Sequence, residues 1–258
     1  MHKIEEPPFP LCSQALKLCI VYSAKSGSLY ALEWFLRQHN LYEGAHKSYS
    51  WLHRYRTNIL ENDEAYLNAL RNVTQETHTI IRVVRDPFAR AVSSFLHCIR
   101  HIERKPEMLP LPLQNGLGTT LTFRQFMHAL LEIDLKTCNA HYRVQTREVE
   151  RSGVLAPDIL IRVEEIEEGF RTVENILGLP HMTIDHAPTS RHRNTYRSSV
   201  PGQCAADIQI SRDILKHHGS PWYTDFYDQE LISMVQDLYQ EDFIRFGYSL
   251  SQVACQTK

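Results

Sequence analysis

The sequence lacks the marks of membrane-spanning, secreted and disulfide-rich proteins. Its longest apolar runs are far shorter than the roughly 20 residues that a membrane span needs. Its first residues, MHKIEEPPFPLCSQ, are acidic and contain prolines, unlike a signal peptide. The six cysteines form no CxxC pair. We therefore expect a soluble, cytoplasmic protein with mostly reduced, structural cysteines, although a lumenal location would leave room for one or two disulfides.

An excess of positive charge is also missing. The formal net charge is −2, so the chain has no global basic field, and we expect no nucleic-acid partner. Any anion site has to be a local cluster, and basic residues do cluster at 82–90 and in SRHRNTYR, residues 190–197. None of the fourteen histidines stands in an HExxH arrangement, and we expect no bound metal.

Three β-branched apolar runs, each followed by a helical pattern, indicate the fold. The predicted strands are 16–23, 78–85 and 158–163. The helices that follow them are 28–40, one beginning at Pro87, and one ending at Gly178 and Pro180. Further helices are predicted at 121–133 and 228–248, with loops at 109–118 and over most of 181–220. We expect a P-loop-like α/β fold with a parallel sheet flanked by helices, in a single domain over residues 1–258 whose residues 1–15 are an N-terminal extension.

The first strand-to-helix turn, in CIVYSAKSGSLYALEWFL, residues 19–36, has the composition of a phosphate-binding loop. Lys25 offers a charge, Gly27 lets the backbone approach a phosphate, and Ser26 and Ser28 offer hydroxyl groups. The stretch is not the GxxxxGK[ST] loop of nucleotide triphosphatases. An ordinary turn capped by Ser26 or Ser28 is the alternative interpretation.

A second junction, VVRDPFARAVSSFLH, places Arg85 at the end of a strand and Ser93 two helical turns further on. Ligands of open α/β sheets bind beyond the carboxyl ends of the strands. Two neighbouring junctions of this kind suggest a ligand with phosphates at both ends.

Several segments resemble one enzyme family. RDPFARAVSSF, residues 85–95, is similar to the RDPxxRxxSxF form of the carbohydrate sulfotransferases. NAHYRVQ, residues 139–145, is similar to their HWxPQ stretch, and residues 223–249 resemble their closing segment. With matches from about residue 17 to 249, the chain resembles the family 2-like sulfotransferases that use 3'-phosphoadenosine 5'-phosphosulfate, PAPS.

The resemblance implies a sulfotransferase fold and an activity. A sulfuryl group would move from PAPS to a hydroxyl of a glycan or glycoconjugate by in-line displacement, leaving PAP. Lys25 would stand at the leaving oxygen, and the phosphosulfate would lie on Ser26, Gly27, Ser28 and Leu29. Arg85 and Ser93 would hold the 3'-phosphate. Leu29 departs from the family, which usually has threonine there.

The resemblance also implies a histidine or glutamate as general base. His46, 21 residues after Lys25, is the first choice. Glu43, His53 and His141 are alternatives, and Glu33 is a weaker one because it is expected inside a helix.

Ligand contacts are implied further along the chain. His141 and Gln145 of the HWxPQ-like stretch would bind the acceptor, and Arg191, Arg193 and Asn194 would close over the nucleotide. The loops that shape the acceptor site are expected at 41–56, 104–120 and in parts of 181–220.

Two other functions are compatible with parts of this pattern. An ATP-dependent P-loop-type kinase would use the same strand-to-helix turns, but the GxxxxGK[ST] motif and a clear magnesium-binding aspartate at a strand end are missing. A non-catalytic relative that binds only nucleotide or glycan would tolerate Leu29 in the loop.

Overall fold

The computed structural model describes residues 3–114, 118–184 and 204–251. Within these residues the chain forms six strands: β1 Leu11–Ser13, β2 Leu18–Tyr22, β3 Thr79–Val84, β4 Thr120–Leu121, β5 Ile159–Arg162 and β6 Ile210–Ser211. It also forms eleven α-helices: α1 Ser28–Gln38, α2 Tyr42–Ser48, α3 Leu52–Asn58, α4 Glu64–Arg71, α5 Pro87–His101, α6 Phe123–Leu131, α7 Glu148–Arg151, α8 Ile166–Leu177, α9 Arg212–His217, α10 Gln229–Leu238 and α11 Gln240–Phe246. In the described parts of the chain, no helix has the length and apolar character needed to cross a membrane.

The chain divides into two compact units, each with its own apolar core. The first unit comprises residues 1–85 and 145–190, and the second comprises residues 86–144 and 191–258. The chain therefore leaves the first unit after β3 and returns to it before α7. The single-domain prediction stays a prediction.

The sheet of the first unit has the strand order β1-β2-β3-β5. Strands β2, β3 and β5 run parallel, and β1 pairs antiparallel with β2. Residues of β2 alternate between two cores: Ile20 belongs to the apolar cluster that includes α1 and α8, and Val21 to the cluster that includes α4 and α7. Helices thus cover both faces, as parallel sheets require, and the predicted α/β class is confirmed.

The second unit is mainly helical. Its core groups Phe95 of α5 with Phe123 and Phe126 of α6 and with Phe226, at ring separations of 5.4 to 5.9 Å. A short antiparallel pair, β4 with β6, lies in the same unit. These aromatic contacts bury large apolar surfaces and stabilise the unit.

Four sequence-based boundaries differ from the structure. The helix predicted at 228–248 is two helices, α10 and α11, because the chain turns at the fully buried Tyr239. The segment 41–56, expected as loop, is mostly helical in α2 and α3. The described end of 181–220 contains β6 and α9, and the predicted extension 1–15 contains β1.

Candidate functional site

The turn between β2 and α1 has the backbone of an anion-binding loop. Lys25 and Gly27 both adopt left-handed conformations, with φ of 68° and 70°. Gly27 is the N-cap of α1, and no side chain of the described residues caps this helix. The capped-turn interpretation, with Ser26 or Ser28 as cap, is therefore wrong. The first N–H groups of α1 and its positive dipole end suit a bound anion.

Gly27 also brings the loop against the start of α8. A Cβ atom built on Gly27 would lie 2.8 Å from Cδ1 of Ile166 and 3.0 Å from Cγ2 of Val163. No side chain fits there without displacing its neighbours. Leu29, which replaces the threonine of the family pattern, packs against the same apolar cluster. Its place in the loop is thus explained by packing.

Ser26 faces the interior of the first unit. Its side chain is fully buried, and its hydroxyl donates to Oε1 of Gln145 at 2.7 Å. Its backbone N–H donates to the carbonyl of Ser23 at 3.2 Å. The hydroxyl predicted to donate to a phosphate therefore donates to a side chain of the protein itself.

Arg85 lies beside the loop within the first unit. Its guanidinium donates from Nη1 to the carbonyl of Lys25 at 3.3 Å. Its backbone N–H and carbonyl are both bonded to the Gln145 side chain, at 2.9 and 2.8 Å. The structure thus brings the Arg85 side chain to the backbone of Lys25, two residues that the sequence assigned to opposite ends of one ligand.

Ser93 and its neighbour lie on α5 of the second unit and have different surroundings. Ser93 is half-buried, whereas Ser94 is fully buried and donates to the carbonyls of Arg90 and His141. The phosphate-binding role of Ser93 stays a prediction.

Two of the candidate bases, His46 and His53, lie on consecutive helices of the first unit. His53 of α3 has Nε2 3.5 Å from Oγ of Ser28, at the start of α1. His46 of α2 is exposed, and its ring stacks on Tyr42 with centroids 5.5 Å apart. The structure therefore places His53 beside the loop.

The two candidate glutamates differ in burial. Glu33 is completely buried in α1, and its carboxylate pairs with Arg37 at 2.8 Å. A carboxylate that is completely buried in this pair is out of reach of an acceptor hydroxyl. Glu43 is exposed on α2.

His141, in the second unit, is oriented by Asn139. The Asn139 side-chain oxygen accepts the backbone N–H of His141 at 3.0 Å and lies 2.8 Å from its Nδ1. Because this oxygen can only accept, Nδ1 carries a proton and the neutral ring keeps its lone pair on Nε2. The ring also stacks on His97, with centroids 4.1 Å apart.

Of the remaining predicted ligand contacts, one is described by the structure and three are not. Gln145 is completely buried. Arg191, Arg193 and Asn194 lie outside the described residues.

The described residues offer no metal cluster, and the thiols of Cys12 and Cys138 have a raised pKa. They contain no group of three or more His, Cys, Asp or Glu side chains able to hold a metal ion. Burial raises the pKa of both Cys12 and Cys138 to about 12. These thiols therefore stay protonated at neutral pH and are poor nucleophiles.

A buried ion pair supports the loop and was not identified from the sequence. Arg82 in β3 is almost completely buried, and its Nε donates to Oε1 of Glu150 at 2.9 Å. Its Nη2 donates to Oγ of Ser23, at the beginning of the loop. The signal that could have revealed the pair is an arginine within the apolar run TIIRVV, because a buried charge requires a partner.

Comparison with known proteins gives one finding. A protein-family model described as "Sulfotransferase family" matches residues 16–249 of the chain. Neither the curated proteins nor the solved structures gave a significant match.

Proposed function

The chain belongs to the sulfotransferase family, and from this premise we propose that it transfers the sulfuryl group of PAPS to a hydroxyl of a glycan or glycoconjugate. Sulfuryl transfer is the chemistry of the family, which generally uses PAPS as donor. The carbohydrate class of acceptor is supported by the RDPFARAVSSF segment, residues 85–95.

The residues at the ends of β2 and β3 fit this donor. The left-handed loop and the open N-terminus of α1 suit the phosphosulfate end. Arg85, whose planar guanidinium pairs well with phosphate oxygens, suits the 3'-phosphate. The observation that supports the proposal most directly is the contact between Nη1 of Arg85 and the carbonyl of Lys25 at 3.3 Å.

Catalysis consists mainly of positioning and charge stabilisation. When bound, PAPS supplies the sulfuryl group. Lys25 supplies positive charge where the leaving phosphate oxygen gains negative charge. We propose His53 as the base that takes the proton of the acceptor hydroxyl, because it is the candidate that contacts the loop, at Ser28. His46 stays the alternative from sequence spacing.

Calorimetric titration with PAP and with Mg·ATP tests the donor. We expect PAP to bind at micromolar concentration and ATP to bind much more weakly. Arg85→Ala should weaken PAP binding, because the guanidinium is lost. Failure of the wild-type protein to bind PAP, or a preference for ATP, would contradict the proposal.

Turnover with radiolabelled PAPS tests both the acceptor and the base. A panel of oligosaccharides, glycolipids and small alcohols should show transfer to a sugar hydroxyl. His53→Ala should then abolish most transfer while PAP binding is retained, and His46→Ala should leave transfer unchanged. The opposite result would assign the base to His46.

We also propose that the protein acts in a reducing compartment such as the cytoplasm. The proposal is supported by the buried thiols of Cys12 and Cys19, which form no disulfide bond. Cell fractionation together with a thiol count of the native protein would test it, and a lumenal fraction would contradict it.

A further inference from the structure

Gln145 joins the two strand-end segments of the first unit. Its Oε1 accepts the hydroxyl proton of Ser26 at 2.7 Å and the backbone N–H of Arg85 at 2.9 Å. Its Nε2 donates to the carbonyl of Arg85 at 2.8 Å. One side chain therefore bonds the loop that follows β2 and the residue that follows β3.

The amide group fits this position in one orientation. The N–H of Arg85 requires an acceptor opposite it, and the carbonyl of Arg85 requires a donor. The amide thus pairs with the backbone of Arg85 as a neighbouring strand would. Because Gln145 is completely buried, loss of these bonds would leave buried polar groups unsatisfied.

Gln145 is itself held by the buried ion pair. Its main-chain carbonyl accepts hydrogen bonds from Oγ of Ser23, at 3.1 Å, and from Nη2 of Arg82. Arg82 in turn pairs with Glu150. The anchor below the loop is therefore a network of buried charged and polar groups, which resists local adjustment.

We propose that Gln145 is a positioning residue that sets the separation between the loop 25–28 and Arg85. This role takes the place of the acceptor contact suggested by the HWxPQ-like stretch. It rests on the proposed function, because the separation matters for a ligand with a phosphate at each end. Such a ligand gains affinity only when both of its phosphate sites are spaced to receive it.

The test compares a ligand with two phosphate ends and a ligand with one. Gln145→Leu removes the hydrogen bonds of the amide group to Ser26 and Arg85 at similar volume. We expect the affinity for PAP to fall about tenfold or more, while the affinity for adenosine 5'-phosphate changes by less than about threefold. Both are measured by titration calorimetry, and circular dichroism checks that the variant is folded.

Gln75→Leu is the matched control. Gln75 also bridges distant segments of the first unit, accepting from the N–H of Ala156 and donating to Asp158, both at 2.9 Å. It lies before β3, at the opposite end of the sheet strands. We expect a smaller loss of thermal stability, because these two hydrogen bonds are exposed, and unchanged affinity for both nucleotides.

Ser26→Ala is the second variant, to be used if Gln145→Leu does not fold. It removes only the hydrogen bond between the Ser26 hydroxyl and Gln145. It should lower PAP affinity selectively but to a smaller extent. An equal loss for both nucleotides, or no loss for PAP, would overturn the positioning role and leave the proposed function intact. Absence of PAP binding by the wild-type protein would overturn both.

Discussion

Lys25 has a backbone conformation that lysine rarely adopts. Its φ of 68° lies in the left-handed region, where a Cβ atom is crowded by the neighbouring carbonyl. Strain of this kind persists where the surrounding structure enforces it, often at a ligand site. The hydrogen bond from Arg85 to the Lys25 carbonyl is one such constraint.

Lys25→Gly is therefore expected to separate stability from activity. Glycine relieves the strain, so the free energy of unfolding should rise by about 0.5 to 1 kcal/mol. Loss of the ammonium group should lower turnover by about a hundredfold or more. Urea unfolding and a transfer assay measure the two effects.

Lys17→Gly is the control for this prediction. Lys17 is exposed in the turn between β1 and β2 and has a φ of 49°. Its replacement should give a similar gain in stability with unchanged turnover. Equal losses of activity in both variants would show that Lys25 has no special part in transfer.

Gly27 is required for a different reason, its packing against α8. Gly27→Ala adds a Cβ that meets Ile166 at 2.8 Å, in addition to the strain of a φ of 70°. We expect the free energy of unfolding to fall by about 3 kcal/mol. The measurement is urea denaturation of the purified variant.

Gly153→Ala isolates the conformational part of this loss. Gly153 has a φ of 71°, and a Cβ there would meet nothing within 4 Å. Its replacement should cost only about 1 kcal/mol. A Gly27→Ala loss no larger than that of Gly153→Ala would refute the close packing of the loop.

The residues of the site could be predicted only in part. Lys25, Gly27 and Arg85 were found from local patterns, because a turn after a strand is a short-range feature. The inward direction of Ser26 depends on Gln145, 119 residues away, and no local pattern reports such a contact. The contact between His53 and Ser28 likewise depends on how α3 folds back on α1.

Helix α8 packs closely against strand β5 at Gly169. A Cβ on Gly169 would lie 2.5 Å from Cγ2 of Ile161. Gly169→Ala should therefore destabilise the protein by about 2 kcal/mol, although alanine is the better helix former. Thermal and urea unfolding both measure this change.

Gly44→Ala in α2 should have the opposite effect on the free energy of unfolding. Nothing lies within 4 Å of a Cβ at Gly44. The substitution should raise the free energy of unfolding by about 0.5 to 1 kcal/mol through helix propensity alone. If Gly169→Ala and Gly44→Ala both stabilised the protein, this would contradict the tight contact between α8 and β5.

Elements were predictable where their own composition determines them. The three parallel strands are β-branched and apolar, and their prediction is confirmed. Strand β1 was missed because a three-residue strand has too few positions to show a period. The break at Tyr239 was missed because it depends on a distant contact, the hydrogen bond from the Tyr239 hydroxyl to the carbonyl of Tyr142 at 2.8 Å.

At the scale of the whole molecule, ion pairs join segments that are far apart in the sequence. Arg124 of α6 pairs with Asp207, at 2.7 Å, and with Asp228, the N-cap of α10. The hydrogen bond from Arg124 lowers the pKa of Asp207. Burial opposes the shift at Asp228, but hydrogen bonds from Arg124 and Leu231 lower its pKa as well.

The second unit should consequently lose stability in acid. A carboxylate with a lowered pKa stabilises the fold above its usual value of 3.8, and this contribution is lost as the pH falls through the lowered pKa. Arg124→Met should lower the thermal midpoint slightly at pH 7, since exposed pairs contribute little. As the pH falls further, from about 5 to 2, the variant should lose less stability than the wild type.

Lys216→Met, at an exposed position of α9, serves as the charge-matched control and should follow the wild-type acid profile. Identical acid profiles for Arg124→Met and the wild type would refute the contribution of the ion pairs.

The hydrogen bonds of Gln145 have a consequence for how the protein folds during its translation. Ser26 and Arg85 are translated early, but their common partner follows Arg85 by 60 residues, after the chain has passed through α5 and α6. Contacts of such long sequence separation form slowly, because the intervening chain has to close a loop first. A nascent chain that ends before residue 145 therefore lacks the side chain that joins the loop 25–28 to Arg85. From the proposed positioning role we expect strong PAP binding only once translation has passed that residue.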